Sequence, residues 1–453
     1  MKDDTEIRLR EWFGRQMPEE PERLHQYLIG VPQARALPRR GGNGMWTSRT
    51  RIALAGLAAS LVLAVVVGSV LMTLNGRHST VGSSDTPEPT PTGSPSARPT
   101  VAGLAPTGSM SHARVSPSAV VLKDGRVLVV GGEAAVPSGG PKELSAETYD
   151  PATGKFAAAG QMSVRRYGPA VALLPDGRVL VAGGHDGTHS MTSAEIFDPA
   201  TNSFSPTGSL HSSHDWGRAI SLADGRVLVV GGLNGTAQAE IYDPATREFA
   251  TTGSMAGPRG EFAAVLLRDG RVLVAGGSVP EDGMFAETAT AEIYDPATGR
   301  FTATGSLAQP REEPTATLLA DGRVLVAGDG GDTPEELYDP QTGKFSATGT
   351  MIERRNGCSA TPLPDGRVLI VGGQAVLPVE RAGDYRVLTT TEIYDPTTRA
   401  FSPGPKLSMA RTYASSVLLR DGSVLVIGGY GGSGSDLLVG AAVIQSSAEV
   451  GLP

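Results

Sequence analysis

One phrase recurs seven times along the C-terminal three quarters of the chain: DGRVLVVGG at 124, DGRVLVAGG at 176, DGRVLVVGG at 224, DGRVLVAGG at 269, DGRVLVAGD at 321, DGRVLIVGG at 365 and DGSVLVIGG at 421. Successive copies lie 44 to 56 residues apart, the period of a propeller blade and far longer than a heptad or a leucine-rich repeat. A chain with this period is constrained to stack like units, because one isolated sheet cannot bury both its faces.

Each copy reads as four strands. An apolar run such as SAVVL (118 to 122) reaches Asp-Gly and continues as RVLVV, which predicts a two-residue type I′ hairpin. A Gly pair ends the second strand, a loop of variable length follows, and then comes AETYDPATGKF (146 to 156) or AEIYDPATGRF (291 to 301). Asp-Pro starts a second turn, and the later Gly supplies the left-handed residue that lets the chain re-pair. The seventh copy stops after SSAEV (446 to 450), short of the fourth-strand position filled by Phe156, Phe204, Phe249, Phe301, Phe345 and Phe401. LAPTGSM (104 to 110) aligns with FSPTGSL (204 to 210), so residues 101 to 107 are predicted to be the outer strand of the last blade. The fold class expected is all-β, a closed seven-bladed propeller of four-stranded antiparallel blades.

The order of residues within each copy resembles the kelch repeat: Arg before the first strand, a Gly pair after the second, Tyr in the third and a bulky aromatic in the fourth. The resemblance covers 101 to 453. Phe stands where Trp is usual, and the fifth copy has Gly328-Asp329 in place of the Gly pair, neither of which is expected to disturb the fold. Galactose oxidase uses a propeller of kelch-like repeats, and likeness to it would imply copper held by two Tyr and two His, one Tyr cross-linked to Cys. Cys358 is the single cysteine. It lies in repeat six, away from the histidines of repeats one to three, so that site does not carry over and no cofactor is expected. The one cysteine also means no intrachain disulfide.

Residues 52 to 74 contain no charged side chain and are long enough for one transmembrane helix. Arg35, Arg39, Arg40, Arg49 and Arg51 precede it with no acid after Glu22, and Arg77 follows it; the positive-inside rule places the N-terminus in the cytoplasm and the propeller outside the cell. The expected domains are a short cytoplasmic segment (1 to 51), the helix (52 to 74), a Pro/Ser/Thr-rich extracytoplasmic linker (75 to 100) and the propeller (101 to 453). The layout resembles membrane-anchored kelch repeat proteins of bacteria. Residues 1 to 51 carry net charge +3, whereas residues from Val101 onward carry −11; an acidic ectodomain argues against nucleic acid.

Residues present in every copy are read as scaffold: Arg114, Arg166, Arg259, Arg311, Arg355 and Arg411 in one register, and Glu147, Glu195, Glu240, Glu292, Glu336, Glu392 and Glu449 in another. Ligand candidates are the exceptions on the rim that carries the variable loops. Repeat three has His214 at the Arg register, followed by Asp215 and Trp216, the one Trp of the propeller. An exposed Trp with polar neighbours suits stacking on a sugar or a peptide side chain. His185 and His189 flank the same junction, and imidazoles with Asp186 or Asp215 form a possible Zn or Cu set, although HDGTHS lacks a ligand spacing and no metal is assigned. Around the inner mouth the residues after the Arg register vary: Tyr167, Glu261, Glu312, Glu313, Asn356, Thr412 and Tyr413. No nucleophile elbow, phosphate loop or paired-acid motif is present, so no catalytic residue is assigned. The function expected is a binding module for a glycan or protein ligand, with a galactose-oxidase-like metal enzyme or the sensor part of a transmembrane regulator as alternatives.

Overall fold

In the computed structural model, residues 103–132, 144–233, 236–281, 284–329, 333–376, 385–432, 437–438, 443–444 and 447–451 are described. The segments expected to be cytoplasmic (1–51), transmembrane (52–74) and a linker (75–100) lie outside them. Among the described residues no helix is long and apolar enough to cross a membrane. The chain divides into two units, Met1–Arg98 and Pro99–Pro453, and the fold that follows belongs to the second.

Seven four-stranded antiparallel sheets make up this unit, one for each copy of the repeat. Blade one is typical: Ser118–Val121, Val127–Val130, Ser145–Asp150 and Lys155–Gln161 run from the inner to the outer edge. The second strand is buried at every residue in all seven blades, because neighbouring blades cover both its faces; hence the unbroken apolar runs VLVV, VLVA and VLIV. Each such Val or Leu contributes about 1.5–3 kcal/mol by its burial.

The first hairpin departs from the expected type I′ turn. In LKDGR the Gly125 N–H donates to Leu122 O and the Leu122 N–H to Arg126 O, while Gly125 has φ 95° and Asp124 is absent from the left-handed residues. This is a three-residue loop, a type I turn closed by a glycine bulge. The reason is visible in the Asp124 carboxylate, which accepts from the Arg126 backbone N–H and pairs with its guanidinium, holding the aspartate in an ordinary right-handed conformation. The Asp-Pro turn is as expected: Asp150 O accepts from Gly154, Asp150 Oδ1 caps Ala152, and Gly154 has φ 66°.

The ring closes on its own N-terminal strand. Ala105–Ser109 pairs antiparallel with Ser447–Gly451, which pairs with Val424–Ile427 of blade seven, so the latch is real and begins a few residues later than 101. The Gly108 N–H donates to Gly154 O of blade one, as Gly208 does to Arg247 O and Gly253 to Gly299 O at ordinary junctions. Met110, Val127, Val129 and Tyr149 pack with Leu419, Leu425 and Ile427 across the closing interface, an apolar cluster of the kind that fills the other junctions.

The variable loops add small sheets of their own at one rim. Ser278–Glu281 pairs with Met284–Glu287 in blade four; Gln374–Val376 of blade six pairs with Tyr385–Val387, and this strand with Leu437–Leu438 of blade seven. The described histidines and the mouth residues sit at this rim, bridged to the segments after the Gly pairs: Tyr167 to His185, Gly260 to Ser278 and Asn356 to Gln374.

Candidate functional site at the ring mouth

The repeated Arg and Glu form the scaffold beneath the rim. In six blades a buried Arg donates to the carbonyl 17 residues onward, as Arg166 does to Gly183 O (2.9 Å) and Arg355 to Gly372 O (2.8 Å). The register Glu accepts backbone N–H groups from the segment just ahead of the Arg: Ser111 for Glu147, Ser163 for Glu195, Ala256 for Glu292 and Ser408 for Glu449. The Glu also pairs with the Arg, at 3.2 Å in blade two and 2.7 Å in blade six. Both charges are nearly sealed from water, so the pair orders the loop more than it stabilises it, and removing one partner alone would cost roughly 3–5 kcal/mol.

His214 belongs to this scaffold, which corrects its reading as a ligand contact. It is fully buried; its Nδ1 lies 2.7 Å from Gly231 O, again 17 residues on, and its Nε2 faces Glu240 at 3.4 Å. The imidazole therefore does in blade three what the guanidinium does elsewhere. Burial pushes the Glu240 carboxyl up, yet hydrogen bonds from His214 and from the backbone of His211 and Ser212 outweigh it and hold Glu240 at about 2.

The other histidines are apart from one another chemically. His185 Nδ1 accepts from the Gly187 N–H within its own loop, and His189 is 78 % exposed with Asp186 at 3.9 Å. Asp215 is buried and accepts from Ser190 Oγ, and burial raises its carboxyl above the usual range. Tyr167 is stacked under Arg165, 4.8 Å from guanidinium carbon to ring centroid. Asn356 is buried, with 7 % of its surface exposed. The one set of three His, Cys, Asp or Glu ligand atoms within 4.8 Å of one another, among the described residues, contains no histidine.

The mouth is organised by a second register. The residue two positions after the Arg or His is left-handed in all seven blades: Ser116 (φ 49°), Gly168 (53°), Trp216 (56°), Glu261 (52°), Glu313 (49°), Gly357 (58°) and Tyr413 (55°). Backbone hydrogen bonds link these residues between blades, from the N–H of Ser116 to Tyr413 O, of Trp216 to Gly168 O, of Glu313 to Glu261 O and of Tyr413 to Gly357 O. The two glycines make room for aromatic rings: a Cβ on Gly168 would lie 2.6 Å from the Trp216 indole, and one on Gly357 3.1 Å from the Tyr413 ring. Trp216 is 37 % exposed, in contrast to the tyrosines buried between blades.

Glu261, Glu312, Glu313 and Tyr413 come together here as a group. Residues that the sequence pattern missed join them: Ser278 Oγ donates to Glu261 at 3.2 Å, Arg218 faces Glu261 and Glu313 from the start of the blade-three inner strand, and Glu287 and Asp329 face Glu312. Asp329 had a visible signal, since it replaces the second glycine of the Gly pair; Glu287, on a variable hairpin, had none. Asp329 is buried, has φ 33° and pairs with Arg354 at 3.1 Å. Burial, together with the negative charge of Glu261, Asp329 and Glu287, pushes Glu312 up to about 8. Burial and Glu261 and Glu312 likewise carry Glu313 well above the carboxylate range. Burial also raises the Tyr413 hydroxyl, with Glu313 and Glu261 adding to the effect. Chemically, such a mouth attracts positive charge and offers an aromatic face.

The structure of a fungal alcohol oxidase of the AA5 family in complex with copper matches with a TM-score of 0.62 at 18 % identity, over 78 % of this chain and 76 % of that one. At that identity the likeness is one of fold. The residues here do not fit its metal: among the described residues the one set of three candidate ligand atoms within 4.8 Å contains no histidine, and the Cys358 thiol, pushed by burial up to about 12, is a poor partner for a cross-link. No curated protein matches the sequence. Residues 166–211 match the family model described as the Kelch motif, and this stretch lies within a described unit built as a seven-bladed β-propeller.

Proposed function

We propose that the chain is a membrane-anchored, extracytoplasmic propeller that binds a glycan or protein ligand at the rim bearing its variable loops, with Trp216 at the centre of the contact. The observation that carries this reading is the Trp216 ring. It is held left-handed over Gly168 and left open to solvent at the mouth, where a non-glycine residue in that conformation costs roughly 1–2 kcal/mol. Glu261 and Tyr413 stand at the corresponding positions of blades four and seven, and Tyr167 one position earlier in blade two. Exposed aromatics on a rigid frame lose little entropy on binding and dominate interface energetics. Asp215, just beneath Trp216, ties that blade to the His185–Ser190 loop through Ser190 and so supports the platform.

The test is a glycan and peptide array probed with the purified protein and with Trp216→Ala. Signals of the native protein that fall about tenfold or more in the variant support the reading; unchanged signals remove Trp216 from the contact. The anchor is tested separately. Protein that resists alkaline extraction from membranes, and whose propeller is cut by protease added outside intact cells, agrees with the assigned topology; release by alkali sinks it.

A further inference from the structure

We propose that the ligand seated on Trp216 is an acidic oligosaccharide, its sugar ring stacked on the indole and its carboxylate held by Arg165 of blade two. This deepens the reading of Trp216 as a ligand contact and rests on it.

The Trp216 N–H donates to Gly168 O and the indole lies over Gly168, so the ring leans from blade three onto blade two. The residue before that glycine is Tyr167, and the Arg165 guanidinium lies over its ring at 4.8 Å. Arg165 is held by its loop as well: Nε and Nη2 donate to Asp186 O at 3.1 and 2.6 Å. That leaves Nη1 and the second hydrogen of Nη2, the pair that takes both oxygens of one carboxylate. An aromatic face and a guanidinium fork thus stand on one stretch of backbone, each fixed before a ligand arrives.

The repeat supplies an internal comparison. The residue ahead of the scaffold Arg or His is Ala113, Arg165, Ser213, Pro258, Pro310, Arg354 or Ala410. Of the two arginines, Arg354 is matched by the Asp329 carboxylate at 3.1 Å. Arg165 bonds a carbonyl and makes no ion pair with a described residue. The carboxylate of Asp186 itself accepts from the N–H groups of Thr188 and His189. The Arg165 charge is therefore unmatched among the described residues, and a ligand carboxylate matches it. Glu261 and Glu313, on the blade-four and blade-five side of Trp216, repel such a group and turn it toward blade two.

The surroundings favour a sugar over a protein surface. Among the described residues the exposed large apolar side chains are Trp216, Phe285 and Ile352, on three different blades, too scattered for the apolar core of a protein interface. One indole bordered by Arg165, His185, Ser190 and Asp215 suits a ring with apolar faces and polar edges.

The test uses the full chain in detergent and two probes with one skeleton, oligogalacturonate and the same oligomer with its carboxyls methyl-esterified. Calorimetry is expected to show the acid bound about tenfold more tightly than the ester, by a margin that shrinks as salt is raised. Arg165→Gln is expected to abolish the preference and keep the ester affinity, folding being checked by circular dichroism, whereas Trp216→Ala weakens both probes about tenfold or more. Equal native affinity for acid and ester, both weakened by Trp216→Ala, overturns this inference and leaves the Trp216 contact standing. Unchanged acid affinity in folded Arg165→Gln, or no native binding of either probe, also overturns it. A poly-glutamate peptide bound as tightly as the oligogalacturonate overturns the choice of carbohydrate. Acid affinity unaltered by Trp216→Ala removes the contact on which the inference rests.

Discussion

Glu240 is the residue on which acid sensitivity of blade three turns. Its folded value of about 2 lies below the ordinary 4.5, so it contributes stability that is fully present above about pH 4.5 and is lost as pH falls toward 2. Glu240→Gln is expected to lower stability near neutral pH by on the order of 2 kcal/mol and to flatten that part of the acid-unfolding profile; equilibrium denaturation at several pH values reads both effects, and an unaltered slope below pH 4.5 would contradict the assignment. Other single residues were harder to read from the sequence. His214 was flagged because it breaks the Arg register, but an imidazole that keeps the same carbonyl contact 17 residues on looks, in sequence, the same as one released for binding. Asp329 stands out in the sequence where the other copies have glycine, but its neighbours Glu287 and Glu312 are distant in the chain and meet it only through blade geometry.

Between blades, one side-chain pair recurs with a telling pattern of exceptions. Thr107, Thr207, Thr252, Thr304 and Thr348, each three residues after the fourth-strand aromatic or Leu104, bond the hydroxyls of Tyr149, Tyr242, Tyr294, Tyr338 and Tyr394 in the next blade at 2.7–2.9 Å. At the junction of blades one and two, the tyrosine is Phe197 and the threonine position is Ala159; both are buried in one cluster. Both hydroxyls are lost together, as expected if a lone buried hydroxyl costs more than none. Tyr294→Phe or Thr252→Ala is therefore expected to destabilise by about 1 kcal/mol each, and the double variant by clearly less than their sum. Chemical denaturation of all four proteins measures the coupling, and strict additivity would argue that the bond contributes nothing. Blade number and boundaries were legible because the repeat is written seven times, and the second turn because Asp-Pro is written six times. The first turn was mistaken: Asp-Gly suits type I′ by propensity, and the Asp124–Arg126 contact that selects the three-residue loop instead depends on side-chain geometry.

At the scale of the molecule, closure was readable because one strand is missing at one end of the repeat array and supernumerary at the other. The site was less readable, since the mouth is a property of the ring: residues from blades three, four, five and seven meet there only after the circle is complete. Removing 101–109 leaves the edge of Ser447–Gly451 unpaired and opens the apolar cluster around Met110 and Leu425. The truncated protein is expected to lose several kcal/mol of stability and to self-associate through the bared edge. Thermal melting with size-exclusion chromatography tests this; a monomer melting at the native temperature would show that the latch is dispensable.

That same latch has a consequence for biogenesis. Ala105–Ser109 leaves the ribosome before any blade exists, yet its hydrogen-bonding partner, Ser447–Gly451, is made only after the strands of the six preceding blades. The earliest-made strand must wait, unpaired, through synthesis of all seven repeats, and six blades can assemble in order while the circle stays open. The slowest event in maturation is then the meeting of these two strands, distant in sequence, a long-range pairing of the sort that sets the pace of folding in β proteins.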